Sequence, residues 1–150
     1  MNEIKSPKKI LFVCTGNTCR SPMAEIIFKA LAKKEDLQTI YKASSAGLHT
    51  SKEQINENSK LALKKLGYTS PKSRLSKQLT KPMLNSSDMV FTMTDRQKAQ
   101  IQSYFNNVYS MSDILGFEID DPYGGNLEQY LKCAANLEKG VKKIIHTLSK

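Results

Sequence analysis

Ile10-Leu11-Phe12-Val13-Cys14-Thr15-Gly16-Asn17-Thr18-Cys19-Arg20-Ser21-Pro22 is the stretch on which the reading of this chain turns. Ile10 to Val13 is a short unbroken apolar run, the pattern of a strand buried on both faces of a parallel sheet. Ser21-Pro22 opens a segment with helical apolar spacing, and a first-turn proline is tolerated because its missing N–H would have no intrahelical acceptor. Between strand and helix lies a polar, glycine-containing loop with a thiol at its start and a guanidinium at its end. Such a unit predicts an anion trap that carries a nucleophile. Loop amides and the helix N-terminus attract a phosphate dianion. The same field stabilises a sulfur anion at Cys14, and Arg20 can fork two phosphate oxygens.

Outward from this loop, strands alternate with helices. Strands are expected at 10–13, 39–45, 88–93 and 107–110. Helices are expected at 22–35, 52–66 (capped by Thr50 or Ser51, stopped at Gly67), from Thr80 to about Asn85, from an Asp95 cap to about Tyr104, and over 126–147. Met23, Ile26, Ile27, Ala30 and Leu31 mark the inner face of the first helix. Ile55, Leu61, Ala62 and Leu66 mark the second. Leu127, Tyr130, Leu131, Leu137, Val141, Ile144 and Ile145 mark the last. Residues 68–80 read as irregular, and a long loop carries Asp120-Asp121-Pro122-Tyr123-Gly124-Gly125. The alternation predicts an α/β three-layer sandwich, a parallel sheet with helices on both faces. Sites in such sheets lie beyond the strand C-termini, where Cys14 falls.

The 150 residues are enough for one domain over 1–150, with 1–8 as a loose polar tail. No apolar run is long enough for a membrane span, and the N-terminus lacks a signal-like apolar segment. Three cysteines, an odd and low count, point to reduced thiols and a cytoplasmic location. Cys14 and Cys19 lack zinc-pair spacing and a nearby histidine, so no metal is expected. The net charge of +9 comes from scattered lysines without an aromatic-basic module, which favours a solvated surface over nucleic-acid binding.

Cys14 is the candidate nucleophile; the alternative is a small buried apolar residue. Arg20 would hold phosphate and its developing charge; the alternative is a surface ion pair. Gly16 would allow close backbone approach, and Asn17 a left-handed turn that aims amides inward. Ser21 either donates to the Cys14 sulfur or caps the helix. A phosphoenzyme route also needs a proton donor, and Asp120 and Asp121 sit in a loop suited to one. Either aspartate could equally form a turn before Pro122, and the residues alone leave the choice open. Neither His49 nor His146 reads as a base.

The segment from Val13 to Pro22, together with Asp121-Pro122-Tyr123 about a hundred residues later, resembles the low-molecular-weight protein-tyrosine-phosphatase family across nearly the whole chain. The resemblance implies a four-stranded parallel sheet flanked by helices and a cofactor-free, monomeric phosphatase of phosphorylated proteins. It implies that Cys14 is the nucleophile, Arg20 the phosphate-binding arginine and Asp121 the general acid and base. Thr15, Gly16, Asn17, Thr18, Cys19, Ser21 and Tyr123 would form the substrate site, with Ser45 supporting Asn17. Cys19 would trap Cys14 as a reversible disulfide on oxidation. One departure is visible: Arg74 stands where many members carry a histidine that supports the loop asparagine.

Within the family, Thr18 makes the loop similar to the protein-arginine-phosphatase branch, where tyrosine-specific members carry a bulkier aliphatic residue. A hydroxyl can meet the polar guanidinium of phosphoarginine, and an aliphatic side chain cannot. Leaving a polar group unpaired in a closed site costs about 1–3 kcal/mol, roughly tenfold or more in selectivity. The expectation is therefore a protein-arginine phosphatase, with protein-tyrosine phosphatase as the alternative. An arsenate reductase on the same scaffold would need further cysteines near mid-chain, and Tyr41 to Tyr130 has none; Cys133 reads as core packing. A silent phosphate-binding module would lack the nucleophile or the acid.

Overall fold

The computed structural model describes residues 8–150. Residues 1–7 of the expected tail lie outside the described residues. Lys8 is not tail: it starts β1 (Lys8–Cys14), where it pairs with Tyr41 and donates its N–H to Ile40 O at 2.8 Å.

Four parallel strands, β1, β2 (Tyr41–Gly47), β3 (Met89–Thr92) and β4 (Val108–Ser110), form one sheet in the order β2-β1-β3-β4. All four strands point the same way, so Cys14, Gly47, Thr92 and Ser110 end at one edge. The apolar run places β1 in the centre, with Ile10, Phe12 and Val13 fully buried. Alternation then divides its side chains between two cores. Phe12 packs against Phe28 and Phe91 on the face covered by α1 (Arg20–Lys34) and α6 (Leu127–Leu148). Leu11 and Val13 face the other way, onto Leu84 of α3 (Lys81–Ser86) and Ile101 of α4 (Asp95–Gln102). The three-layer expectation is met.

Several boundaries differ from the sequence reading. The second helix, α2 (Glu57–Lys65), begins later than residue 52, and its cap is Asn56 rather than Thr50 or Ser51. The preceding residues form a loop tied to its neighbours, with Lys52 left-handed at φ 55° and Ile55 N–H bonded to Arg74 O. Ile55 is buried ahead of the helix, while Leu61 lies exposed. Thr94, not Asp95, caps α4, with Gln97 completing the capping box. A short α5 (Met111–Leu115) lies where only loop was expected, between a Ser110–Asp113 capping box and left-handed Gly116. In α1, Ala30 is exposed, while Ala24, Phe28 and Ala32 are buried. Wedged between sheet and α6, the first two turns of α1 are covered almost all round, so one stripe does not describe them.

Candidate active site

Cys14 closes β1, and residues 15–19 swing around it into α1. Asn17 takes the left-handed conformation its residue type favours, with φ 57°. The turn brings Asn17 N–H to Cys14 Sγ at 3.2 Å. Ser21 does not cap the helix. It lies inside α1, with Oγ 2.9 Å from Cys14 Sγ. Because Asn17 Nδ2 donates to that same Oγ at 2.7 Å, the hydroxyl proton of Ser21 is left for the sulfur. Two donors therefore converge on Sγ, an arrangement that stabilises a sulfur anion. Among the described residues, the backbone N–H groups of Gly16, Thr18 and Cys19 donate to no protein acceptor and remain available to a bound anion.

The cavity above Sγ has a volume of about 240 Å³ and is lined by Cys14 through Arg20 together with Ser51, Glu53, Asp121 and Tyr123. Arg20 is only 5 % exposed, which rules out an ordinary surface ion pair. Its Nη1 donates to Ile119 O at 3.0 Å, and Nη2 lies 3.6 Å from Asp121 Oδ2. The two neighbouring aspartates are separated by position. Both line an adjoining cleft with His49 and Arg96, but of the two only Asp121 also lines the cavity with Cys14. Asp121 also forms the turn, since Tyr123 N–H donates to its Oδ1 at 3.1 Å. Asp121 thus forms the turn before Pro122 while lining the cavity that holds Cys14. Tyr123 stands exposed at the mouth, and Thr18 is buried in the wall. Gly16 meets nothing closer than Thr18 Oγ1 at 3.7 Å from a would-be Cβ, so its open side faces the cavity. Gly47 leaves no room for a side chain beside the loop: a Cβ there would lie 2.7 Å from Thr15 O and 3.0 Å from Asn17 Cβ.

Beneath the loop lies a buried polar cluster. Asn17 Nδ2 donates to Ser45 Oγ at 3.1 Å, the pairing that the family resemblance implied. Ser45 Oγ donates to Glu25 Oε1 at 2.6 Å. Arg74 fits this cluster rather than disturbing it. Its Nη1 reaches Asn17 Oδ1 at 3.2 Å, and its Nη2 reaches Glu25 Oε1 at 3.0 Å and also Ser45 Oγ. Burial opposes the charge on Glu25, but hydrogen bonds from Lys29 and Ser45 and the charges of Arg74 and Lys29 prevail. They hold its carboxyl below the usual carboxylate range. Glu25 was missed in the sequence; its one signal was a position four residues after Ser21, on the same helix face. Gln97, whose Nε2 donates to Thr15 Oγ1 at 3.1 Å, was missed as well, because it comes from the first turn of α4, 82 residues away in the chain.

The other two thiols are poor nucleophiles. Burial pushes Cys133 up to about 12. Burial also raises Cys19, against hydrogen bonds from Tyr130 and Thr18. Tyr130 Oη lies 3.5 Å from Cys19 Sγ, a contact that a reading of Tyr130 as plain core did not foresee. Among the described residues, no group of three His, Cys, Asp or Glu side chains is arranged to hold a metal.

Comparison with known proteins places this site in context. The chain is 34% identical over 151 residues to the protein-arginine-phosphatase of Bacillus subtilis (strain 168), covering 94% of this chain and 97% of that protein. It is 33% identical over 143 residues to the low molecular weight protein-tyrosine-phosphatase PtpB of Staphylococcus aureus, covering 91% of this chain and 96% of that one. A solved structure of the YwlE arginine phosphatase superimposes with a TM-score of 0.87 at 32% identity, covering 95% of this chain and 96% of that chain. That structure is a cysteine-to-serine mutant whose active-site serine is phosphorylated. The family model for low molecular weight phosphotyrosine protein phosphatase matches residues 9–150, and the chain belongs to that family.

Proposed function

We propose that this protein dephosphorylates phosphoarginine in proteins through a phosphocysteine on Cys14. The observation that carries the reading is the convergence of the Asn17 amide and the Ser21 hydroxyl on Cys14 Sγ, at the base of a cavity that Arg20 and Asp121 share. The thiolate attacks phosphorus in line while the loop amides and Arg20 hold the three equatorial oxygens. The P–N bond breaks, its electron pair goes to nitrogen, and Asp121 supplies the proton. A water deprotonated by Asp121 then attacks the phosphocysteine, releasing phosphate and returning the Cys14 thiolate. Arg20 and the loop amides supply the positive charge, so the scheme uses no metal or cofactor. The phosphorylated serine in the YwlE mutant supports a covalent step at this position. The names of the relatives support both phosphoarginine and phosphotyrosine as substrate classes, and Thr18 favours the first.

Asp121→Ala is expected to lower kcat/KM on phosphoarginine, which reports the steps up to leaving-group departure, by about a hundredfold or more. The loss on an aryl phosphate with a good leaving group is expected to be smaller, because such a group departs without a proton. Equal losses on both would argue against Asp121 as the acid. Thr18→Ile tests the substrate class. The ratio of kcat/KM for phosphoarginine over phosphotyrosine should fall by about tenfold or more, as the hydroxyl is replaced by bulk that suits an aromatic ring. An unchanged ratio would remove Thr18 from the account.

Among the described residues, no helix is long and apolar enough to cross a membrane. A cytoplasmic location fits the free cysteines, and the same reducing compartment would reverse a Cys14–Cys19 disulfide.

A further inference from the structure

A second acidic residue, the exposed Glu53, lines the cavity above Cys14 and is not used by the scheme above. It does so together with Thr18, Arg20 and Asp121, and it comes from a different loop than Asp121. That loop is fastened to the catalytic loop at both ends, by His49 N–H on Thr15 O at 2.9 Å and by Asn56 N–H on Thr18 O at 2.9 Å. Glu53 itself is pinned at its backbone: its N–H donates to Ser76 Oγ at 3.0 Å, and Ser76 N–H donates to Glu53 O at 2.8 Å. The position is therefore set by the fold, and among the described residues no Lys or Arg pairs with its carboxylate.

A carboxylate beside a pocket for a phosphate dianion is a liability unless the substrate brings positive charge with it, since like charges at close range repel. Phosphotyrosine brings a neutral ring. Phosphoarginine brings a planar guanidinium, whose N–H groups match a carboxylate in fork geometry. Resting on the phosphoarginine reading, we propose that Glu53 is a specificity residue that binds the substrate guanidinium while the phosphoryl group occupies the Cys14 loop. It takes no part in bond making or breaking; Asp121 keeps the proton transfer.

The test compares free phosphoarginine and free phosphotyrosine, which have no flanking residues for Glu53 to read, with wild type, Glu53→Gln and Glu53→Asp. Glutamine keeps the size and removes the charge. The ratio of kcat/KM for phosphoarginine over phosphotyrosine should fall by about tenfold in Glu53→Gln, mainly through KM, and be partly restored in Glu53→Asp. A wild type that turns over phosphoarginine, with a ratio unchanged in Glu53→Gln, overturns the role of Glu53 alone. A wild type that hydrolyses phosphotyrosine and not phosphoarginine overturns the substrate reading itself. A ratio that falls with phosphopeptides but not with the free amino acids also overturns the proposal, because Glu53 would then read a flanking residue.

Discussion

Cys14→Ser is expected to lower turnover by about four orders of magnitude or more, with the fold intact. The attacking atom must be an anion, and the loop is built to make one of sulfur. The Asn17 N–H at 3.2 Å and the Ser21 hydroxyl at 2.9 Å both aim at Sγ. An alcohol in the same place ionises far less readily, and two hydrogen bonds cannot close that gap. Neither remaining thiol can substitute, because burial raises both Cys19 and Cys133. The fold should survive because serine is the smaller residue and keeps both hydrogen-bond partners. Steady-state turnover of phosphoarginine and of an aryl phosphate, read beside a thermal melt, checks both halves. Activity near that of wild type would end the assignment of Cys14.

Arg74→Met is expected to cost about 3 kcal/mol of stability at neutral pH and to lower activity along with it. The substitution keeps the stem and removes the charge from a pair whose side chains are 9 % and 10 % exposed. Breaking such a pair leaves Glu25 charged and underpaired in a poorly solvated place, which is costlier than the pair itself was beneficial. It also frees Asn17 Oδ1 from one of its two donors, Lys77 N–H being the other, and so loosens the left-handed turn that feeds the Cys14 sulfur. The pH dependence gives a signature. In wild type the folded-state pKa of Glu25 lies below its unfolded value. Its contribution is therefore present above the unfolded pKa and lost as pH falls through the folded one. In Arg74→Met the guanidinium charge is lost while Lys29 and Ser45 still hold the carboxylate, so the folded pKa rises towards the unfolded one. The deficit should then be full at neutral pH and shrink as acid protonates Glu25. Urea titrations at neutral and mildly acidic pH measure this. A deficit independent of pH would mean that Arg74 acts by packing alone.

The catalytic loop could be read in the sequence because its determinants are local. An apolar run, a turn residue tolerant of positive φ and a first-turn proline fix Cys14, Asn17, Arg20 and Ser21 within a dozen positions. Asp121 needed the resemblance, since no local pattern says that a loop a hundred residues away returns to the thiol. Arg74 looked like a departure and Glu25 went unnoticed for one reason: their meaning lies in a contact between the middle of the chain and α1. The second helix was started too early because Thr50 and Ser51 are good caps in isolation. Hydrogen bonds from His49 and Ile55 to other segments outcompeted that local preference. The Ser110–Asp113 box of α5, by contrast, was present in the sequence and unused.

The most direct test of the covalent route is to stop the reaction during turnover. Wild-type protein is mixed with excess phosphoarginine, denatured within the first turnovers, and digested for mass spectrometry. One phosphoryl group on the peptide that contains Cys14, carried on sulfur and absent without substrate, is the result this account predicts. Rapid phosphate release with no phosphorylated Cys14 peptide at any quench time, or with phosphate on another residue, would contradict it.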